Sequence, residues 1–216
     1  MANKLVIIGA SGLGTEACWV AQEMNANRPV WEIVGFVDDD PQRHGRRLVG
    51  IKVLDTPERA AKELRGEVFF HCAVGRNVDR ERLVERAEAL GWRPGTLVHP
   101  NTSIGPDVEI GEGSFIAHHV VLGPSARIGC HVIINTFVGV GHHSALEDYS
   151  QICPGARISG ACRVGRGALL GSNAVINPEV KIGEQATIGA ASLALRDVEA
   201  GVTVLGVPGK VVARRA

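Results

Sequence analysis

The chain has 216 residues, with 23 Lys or Arg and 23 Asp or Glu, so its formal net charge at neutral pH is zero. This length fits one large domain or two small ones, and the charge balance gives no reason to expect nucleic acid as a partner. The five cysteines are scattered without a C-x-x-C pair, and no apolar run has the length of a signal peptide or a membrane span. These features predict a cytoplasmic protein with reduced thiols and no membrane insertion.

Predicted strands and helices alternate along residues 1–98. The apolar run Leu5–Ile8 indicates a buried strand, and further strands are expected at 33–37 and 68–74. Helices are predicted after Gly14, after Thr56 and over 79–90, the last with Leu83, Ala87 and Leu90 facing inward. This alternation is typical of a small Rossmann-like α/β domain with a parallel sheet.

A glycine-rich turn, G-A-S-G-L-G at 9–14, joins the first strand to the first helix. A strand, such a turn and a helix form a phosphate-binding arrangement, because free N–H groups and the helix dipole point at one spot. The order is G-x-x-G-x-G, which argues against a dinucleotide site. Asp38 and Asp39 end the second strand and could bind the hydroxyl or amino groups of a sugar. A plain strand-to-helix turn is the alternative.

A six-residue repeat dominates residues 99–216. Every sixth position from Ile104 to Ile188 is aliphatic, and the residue four positions later is small or valine. This period predicts a parallel β-helix, in which three short strands, each from one hexapeptide, make a triangular coil and coils stack roughly 4.8 Å apart. The aliphatic side chains would point into the prism.

Two adjacent histidines, His142 and His143, are expected at a corner of the third coil. Imidazole, with a reference pKa of about 6.5, can take up a proton near neutral pH. Gly160 lies one whole coil, or three hexapeptides, after His142 and is therefore predicted to stack on it. An exposed corner histidine without a function is the alternative. A zinc site shared with the pair His118-His119 is disfavoured, because the two pairs are not separated by a whole number of coils.

Four segments, VIIGASGLG, GFVDDDP, AVGRN and GVPGK, occur in this order together with the repeats. The combination resembles bacterial sugar acetyltransferases of the bacillosamine, perosamine and sialic acid type, and the resemblance covers almost the whole chain. It implies a left-handed β-helix, a homotrimer and acetyl-CoA as co-substrate without a metal. It also implies that the α/β domain binds a nucleotide-linked sugar.

The same resemblance assigns roles to individual positions, with His142 as the general base. The positions implied for the nucleotide-linked sugar are Ser11, Gly12, Leu13, Asp38, Asp39, Gly75 and Asn135. Those implied for acetyl-CoA are Gly160, whose N–H could stabilise an oxyanion, Ser172 and Ala190. The family often has a histidine in place of Leu13. An inward asparagine ladder is the alternative for Asn135.

The family pattern also has an acidic residue after the catalytic histidine, where this chain has His143. Support for His142 could come from His143, Glu147, Asp148 or a neighbouring subunit, or the base could act without a partner. The predicted function is N-acetylation of a nucleotide-linked amino sugar by direct attack on acetyl-CoA. The alternatives are O-acetylation of a sialic-acid-type sugar, a non-catalytic trimeric binding protein and a metal-dependent hydratase. The nucleotide and the sugar stay open.

Overall fold

The computed structural model describes residues 2–26 and 28–214, and their contacts divide the chain at Pro100 into two compact units. The domain boundary predicted from the sequence lay slightly earlier, at 98/99. In the described part of the chain, no helix combines the length and the apolar character that a membrane crossing requires.

The amino-terminal unit contains the predicted parallel sheet, with strand order β2-β1-β5-β6. The central strand β1 is apolar and buried along Leu5–Ile8, which explains why the other elements pack around it. The strands are β1 (Asn3–Ile8), β2 (Trp31–Val37), the hairpin β3 (Arg47–Leu48) and β4 (Ile51–Lys52), β5 (Val68–Cys72), β6 (Arg93–Pro94) and β7 (Leu97–Val98); the helices are α1 (Gly12–Met24), α2 (Pro57–Glu63) and α3 (Asn77–Ala89).

Helix α3 turns a different face inward from the one predicted. Arg80, Val84 and Ala87 are its buried residues, whereas Leu83 is only half-buried and lines a small cavity. Arg80, Val84 and Ala87 are spaced i, i+4 and i+7, which places them on one face of a helix. The prediction was right for Ala87 but left out Arg80 and Val84.

The second unit is the predicted parallel β-helix. The two-residue strands pair in parallel with the equivalent strands of neighbouring coils, as Val121 does with Gly139. The strands form three faces. The first face has β8 (Ser103–Ile104), β11 (Val121–Leu122), β14 (Gly139–Val140), β17 (Arg157–Ile158), β20 (Val175–Ile176) and β23 (Leu193–Ala194); the second has β9 (Glu109–Ile110), β12 (Arg127–Ile128), β15 (Ala145–Leu146), β18 (Arg163–Val164) and β21 (Lys181–Ile182); the third has β10 (Phe115–Ile116), β13 (Ile133–Ile134), β16 (Gln151–Ile152), β19 (Leu169–Leu170), β22 (Thr187–Ile188), β24 (Val202–Leu205) and the antiparallel β25 (Lys210–Arg214).

The core of the prism consists of the predicted aliphatic positions. From Phe115 onward the second residue of each of these strands up to β23 is buried, whereas Ile104, in the first coil, is 48% exposed because no coil lies before it. At about 25 cal/mol per Å² of apolar surface removed from water, this stack supplies the main stabilisation of the unit.

The corners of the coils have a left-handed backbone conformation that is not restricted to glycine. Each contains a residue in the left-handed region, and many of these residues carry side chains, such as His119 (φ 58°), His143 (φ 57°) and Tyr149 (φ 57°). Glycine is instead needed directly after some of the strands, where neighbouring coils approach each other closely. A Cβ atom on Gly141 would lie 2.5 Å from the backbone N of Gly160.

Candidate active site

The glycine turn between β1 and α1 has its three glycines in different roles. Gly9 has φ +101°, which favours a residue without a side chain. A Cβ atom on Gly14 would lie 2.1 Å from the carbonyl oxygen of Gly9, so Gly14 permits the close packing of helix on strand. Gly12 faces open space, and Ser11 is an exposed N-cap residue whose side chain makes no cap hydrogen bond. The start of α1 is therefore open to a ligand.

Asp38 fastens this turn to the end of β2. Its Oδ2 accepts hydrogen bonds from the backbone N–H of Ala10 (2.8 Å) and from Nη1 of Arg43 (3.1 Å), and its Oδ1 accepts one from the N–H of Asp40 (2.9 Å). Only 13% of the side chain is exposed. Both oxygens thus bind donors of the protein itself, and Asp38 shapes the turn.

Asp39 lies beside it and is half exposed. Arg86 donates two hydrogen bonds to its carboxylate (2.7 and 3.1 Å) and also contacts Glu58 at 2.8 Å. The hydrogen bond from Arg86 lowers the pKa of Asp39 below its ordinary value. Asp38 and Asp39 line a small cavity of about 130 Å³ together with Gly9 and Val74. The ionised carboxylate of Asp39 can therefore accept hydrogen bonds from a ligand in this cavity.

The loop after β5 is held by a buried arginine that sequence reasoning missed. Arg80 is 1% exposed, and its Nη1 donates to the carbonyl oxygens of Val74 (2.9 Å) and Gly75 (3.1 Å). These hydrogen bonds fix the backbone of the loop that contains Gly75, a residue predicted to bind the nucleotide-linked sugar. The available signal was the helical spacing of Arg80 with Val84 and Ala87.

In the β-helix, His142 lies at the corner between the first and second faces, after β14 and Gly141. Its Nδ1 is 3.0 Å from Nδ1 of His143, and the two rings meet edge to face with centroids 5.2 Å apart. The N–H of Ala161 donates to the carbonyl oxygen of His142 at 2.8 Å, which fixes its backbone to the next coil.

Gly160 stacks on His142, as the coil length predicts. A Cβ atom at Gly160 would lie 2.6 Å from both Nε2 and Cε1 of the His142 ring. Within residues 2–26 and 28–214 no group accepts a hydrogen bond from the N–H of Gly160. Equivalent corner positions in other coils are proline, which has no N–H: Pro106, Pro124 and Pro178. The coil itself therefore has no use for a donor at this position.

Glu147 and Asp148 lie one corner further round the coil, after β15. The carboxylate of Glu147 binds Arg163 and the N–H of Arg166, and that of Asp148 accepts from the N–H of Cys130 at 2.8 Å. Of the residues predicted to support His142, His143 is the one that contacts its ring within one protomer.

Asn135, Ser172 and Ala190 lie at the opposite edge of the first face from His142. Asn135 is 8% exposed and its Nδ2 donates to the carbonyl oxygen of Ile152 at 3.0 Å, as an inward ladder would. The pair His118-His119 shares this edge, so the two histidine pairs lie at different corners, as expected from their spacing. One protomer brings together His142, His143 and Gly160, but not the other predicted β-helix residues.

Each of the two units matches a known protein family. Residues 4–87 match the model of the PglD N-terminal domain, and residues 93–124 match that of the bacterial transferase hexapeptide (six repeats). The chain is 31% identical to GDP-perosamine N-acetyltransferase of Escherichia coli O157:H7 over 214 residues, which cover 96% of each protein.

Several solved structures are similar over almost the whole chain, and two of them have CoA or acetyl coenzyme A bound. One is a histidine-to-asparagine mutant of perosamine N-acetyltransferase from Caulobacter crescentus in complex with CoA and GDP-perosamine (27% identity, TM-score 0.88, 99% of this chain and 98% of that one). The other is the acetyltransferase domain of PglB from Neisseria gonorrhoeae FA1090 in complex with acetyl coenzyme A (30% identity, TM-score 0.86, 98% and 100%). The chain belongs to the bacterial hexapeptide-repeat sugar acetyltransferases that have a PglD-type amino-terminal domain, and it is an acyltransferase.

Proposed function

We propose that this protein transfers the acetyl group of acetyl-CoA to the amino group of a GDP-linked amino sugar. The observation that carries the proposal is the corner at which His142 Nε2 lies against Gly160, a residue with no side chain and an N–H that the coil does not use. The relative from E. coli O157:H7, named for GDP-perosamine N-acetylation, supports the choice of nucleotide and acceptor.

The chemistry is a direct attack. The sugar amine forms a C–N bond with the thioester carbon, and the C–S bond then breaks to release CoA as a thiolate. His142 Nε2 takes the proton that the amine loses. The N–H of Gly160 donates to the carbonyl oxygen as negative charge develops on it, and its fixed position means that no reorganisation is needed. The proton held by His142 can then pass to the departing thiolate, which restores the base.

The amino-terminal unit supplies the nucleotide site. The open start of α1 at Ser11, Gly12 and Leu13 offers N–H groups to a diphosphate, and Arg80 holds the loop that contains Gly75. Asp39 is ionised and can only accept hydrogen bonds. The adjacent N1–H and amino donors of guanine can bind both oxygens of a carboxylate, whereas uracil has a single N3–H donor between two carbonyl oxygens.

The residues proposed to bind acetyl-CoA lie on two edges of the first face of the β-helix. Ser172, Ala190 and Asn135 lie across the first face from His142, so one protomer alone separates the proposed cofactor and base positions. A closed homotrimer would bring one edge of each protomer to the other edge of its neighbour. The five free thiols, none paired in a disulfide, support a cytoplasmic location.

The test is an acetyl-transfer assay with GDP-, UDP-, dTDP- and CMP-linked amino sugars, read by CoA release and by NMR of the acetylated position. We expect His142→Ala to lower kcat by about 10²–10⁴ with the GDP sugar, while acetyl-CoA still binds. Ser125→Ala, at the same corner one coil earlier, is the matched control. Acetylation of a hydroxyl group, or binding without any CoA release, would replace the proposal with O-acetylation or with a non-catalytic role.

A further inference from the structure

The backbone conformation of His143 places its ring against the ring of His142. His143 has φ 57°, and its N–H donates to the carbonyl oxygen of Pro124 at 3.0 Å, so the residue is locked between two coils. The two Nδ1 atoms are 3.0 Å apart. At that separation a single hydrogen lies between them, because two lone pairs or two N–H groups would repel each other.

The position of that hydrogen decides what His142 can do. With the hydrogen on Nδ1 of His142, its Nε2 has a free lone pair facing Gly160. With the hydrogen on Nδ1 of His143, the neutral His142 ring carries its proton on Nε2 and cannot act as a base there. The tautomer of His142 is thus set by the partner of its other nitrogen.

We propose that His143 is a positioning residue that accepts the Nδ1–H of His142 and thereby keeps His142 Nε2 unprotonated and aimed at the acyl group. The inference rests on the function proposed for His142. It assigns to an uncharged imidazole the task that a carboxylate performs in the usual family pattern. Glu147 and Asp148 are unsuited to this task within one protomer, because their carboxylates bind Arg163, Arg166 and the backbone at the next corner.

The residues that stack on the pair from the neighbouring coils are uncharged. They are Pro124 and Ser125 on one side and Gly160 and Ala161 on the other. A proton on Nδ1 of His143 removes the acceptor, so the arrangement works only when His143 is neutral. A carboxylate at the same position would stabilise the protonated form of His142 as well as its tautomer.

The coil itself provides matched substitutions for His143. The same position in other coils holds Asp107, Ser125, Ala161 and Glu179, all in the left-handed region with φ of 56°, 58°, 56° and 64°. Alanine and glutamate are therefore compatible with this corner. His143→Ala removes the acceptor and His143→Glu replaces it with a charged one, and neither change should unfold the repeat.

Nitrogen-15 NMR of the imidazoles in the full-length protein tests the tautomer without any turnover. We expect the Nδ1–H form for His142 and the Nε2–H form for His143 at neutral pH. We also expect a mixture of His142 tautomers in His143→Ala. The Nε2–H form as the main species of His142 in the wild type would overturn the inference, and this outcome is independent of whether the proposed substrate is correct.

Kinetics of the same variants separate positioning from a structural role. His143→Ala should lower kcat by roughly tenfold or more, within the 10²–10⁴ that a general base contributes, with KM for both substrates little changed. His143→Glu should restore kcat at alkaline pH and lose activity at a higher pH than the wild type on the acid side. A wild-type kcat in His143→Ala, or equal loss in the Ala and Glu variants, would refute the assignment. If His142→Ala also keeps full activity, the proposed function fails instead.

Discussion

Replacing Gly160 with alanine tests the contact between the two stacked corner residues. The new Cβ would lie 2.6 Å from Nε2 and Cε1 of His142, roughly 1 Å inside an ordinary carbon–nitrogen contact. The clash falls on the end of a side chain at an exposed corner, so the ring moves and the coil stays intact. A displacement of about 1 Å at a reacting group can cost 10²-fold in rate, and we expect kcat to fall by about that factor.

The assay is steady-state acetyl transfer together with thermal unfolding. Gly139→Ala is the control, because its Cβ would meet only the side chain of Arg157 at an ordinary 3.5 Å on the same face. The double variant of Gly160→Ala with His142→Ala should be little slower than His142→Ala alone, since both act through one ring. A Gly160→Ala enzyme with wild-type kcat, or one that unfolds like a core mutant, would refute the reasoning.

Three further predictions concern other contacts. Gly14→Ala should strongly destabilise the amino-terminal unit, because its Cβ would lie 2.1 Å from a carbonyl oxygen, whereas Gly12→Ala meets open space and should raise only the KM of the nucleotide sugar; equal melting temperatures for the two would contradict this. Ser144→Ala removes a fully buried hydroxyl group that bonds two backbone groups at 2.9 and 3.1 Å, and urea unfolding should show a loss of about 1–3 kcal/mol. Arg86 lowers the pKa of Asp39 below its ordinary value, so the stability it adds is present above that ordinary value and is lost as the pH falls through the depressed one. The melting-temperature difference between wild type and Arg86→Ala should therefore be constant near neutral pH and vanish in strong acid, and a difference that grows on acidification would show that the sign is wrong.

The repeat was readable from the sequence because each inward aliphatic residue is itself the signal. The same period placed Gly160 over His142, since three hexapeptides make one coil and neighbouring coils pair in register. The alternation of strands and helices likewise gave the amino-terminal sheet, because buried parallel strands are continuous apolar runs.

Contacts that depend on side-chain rotamers or on the burial of a charged group could not be predicted from the sequence. The left-handed backbone of His143 recurs at every corner, but the meeting of the two rings through Nδ1 depends on their side-chain rotamers, which the period does not encode. The helical spacing of Arg80 was a signal of its burial, but the backbone carbonyl groups that accept its hydrogen bonds lie outside helix α3 and could not be identified from the sequence. Asp38 was expected to bind a ligand, but its position after β2 gave no sign that the protein's own donors surround it.

The pairing of each residue with its equivalent in the next coil has a consequence for insertions and deletions. Loss of a single hexapeptide, such as 149–154, would keep every aliphatic side chain inside the prism, yet it would bring Arg166 over His142 in place of Gly160. Loss of one whole coil elsewhere in the repeat would keep both the interior and the corner. The architecture thus tolerates length changes by single hexapeptides, while the chemistry of the corner tolerates only groups of three, and related chains of different length should differ by whole coils where they retain activity.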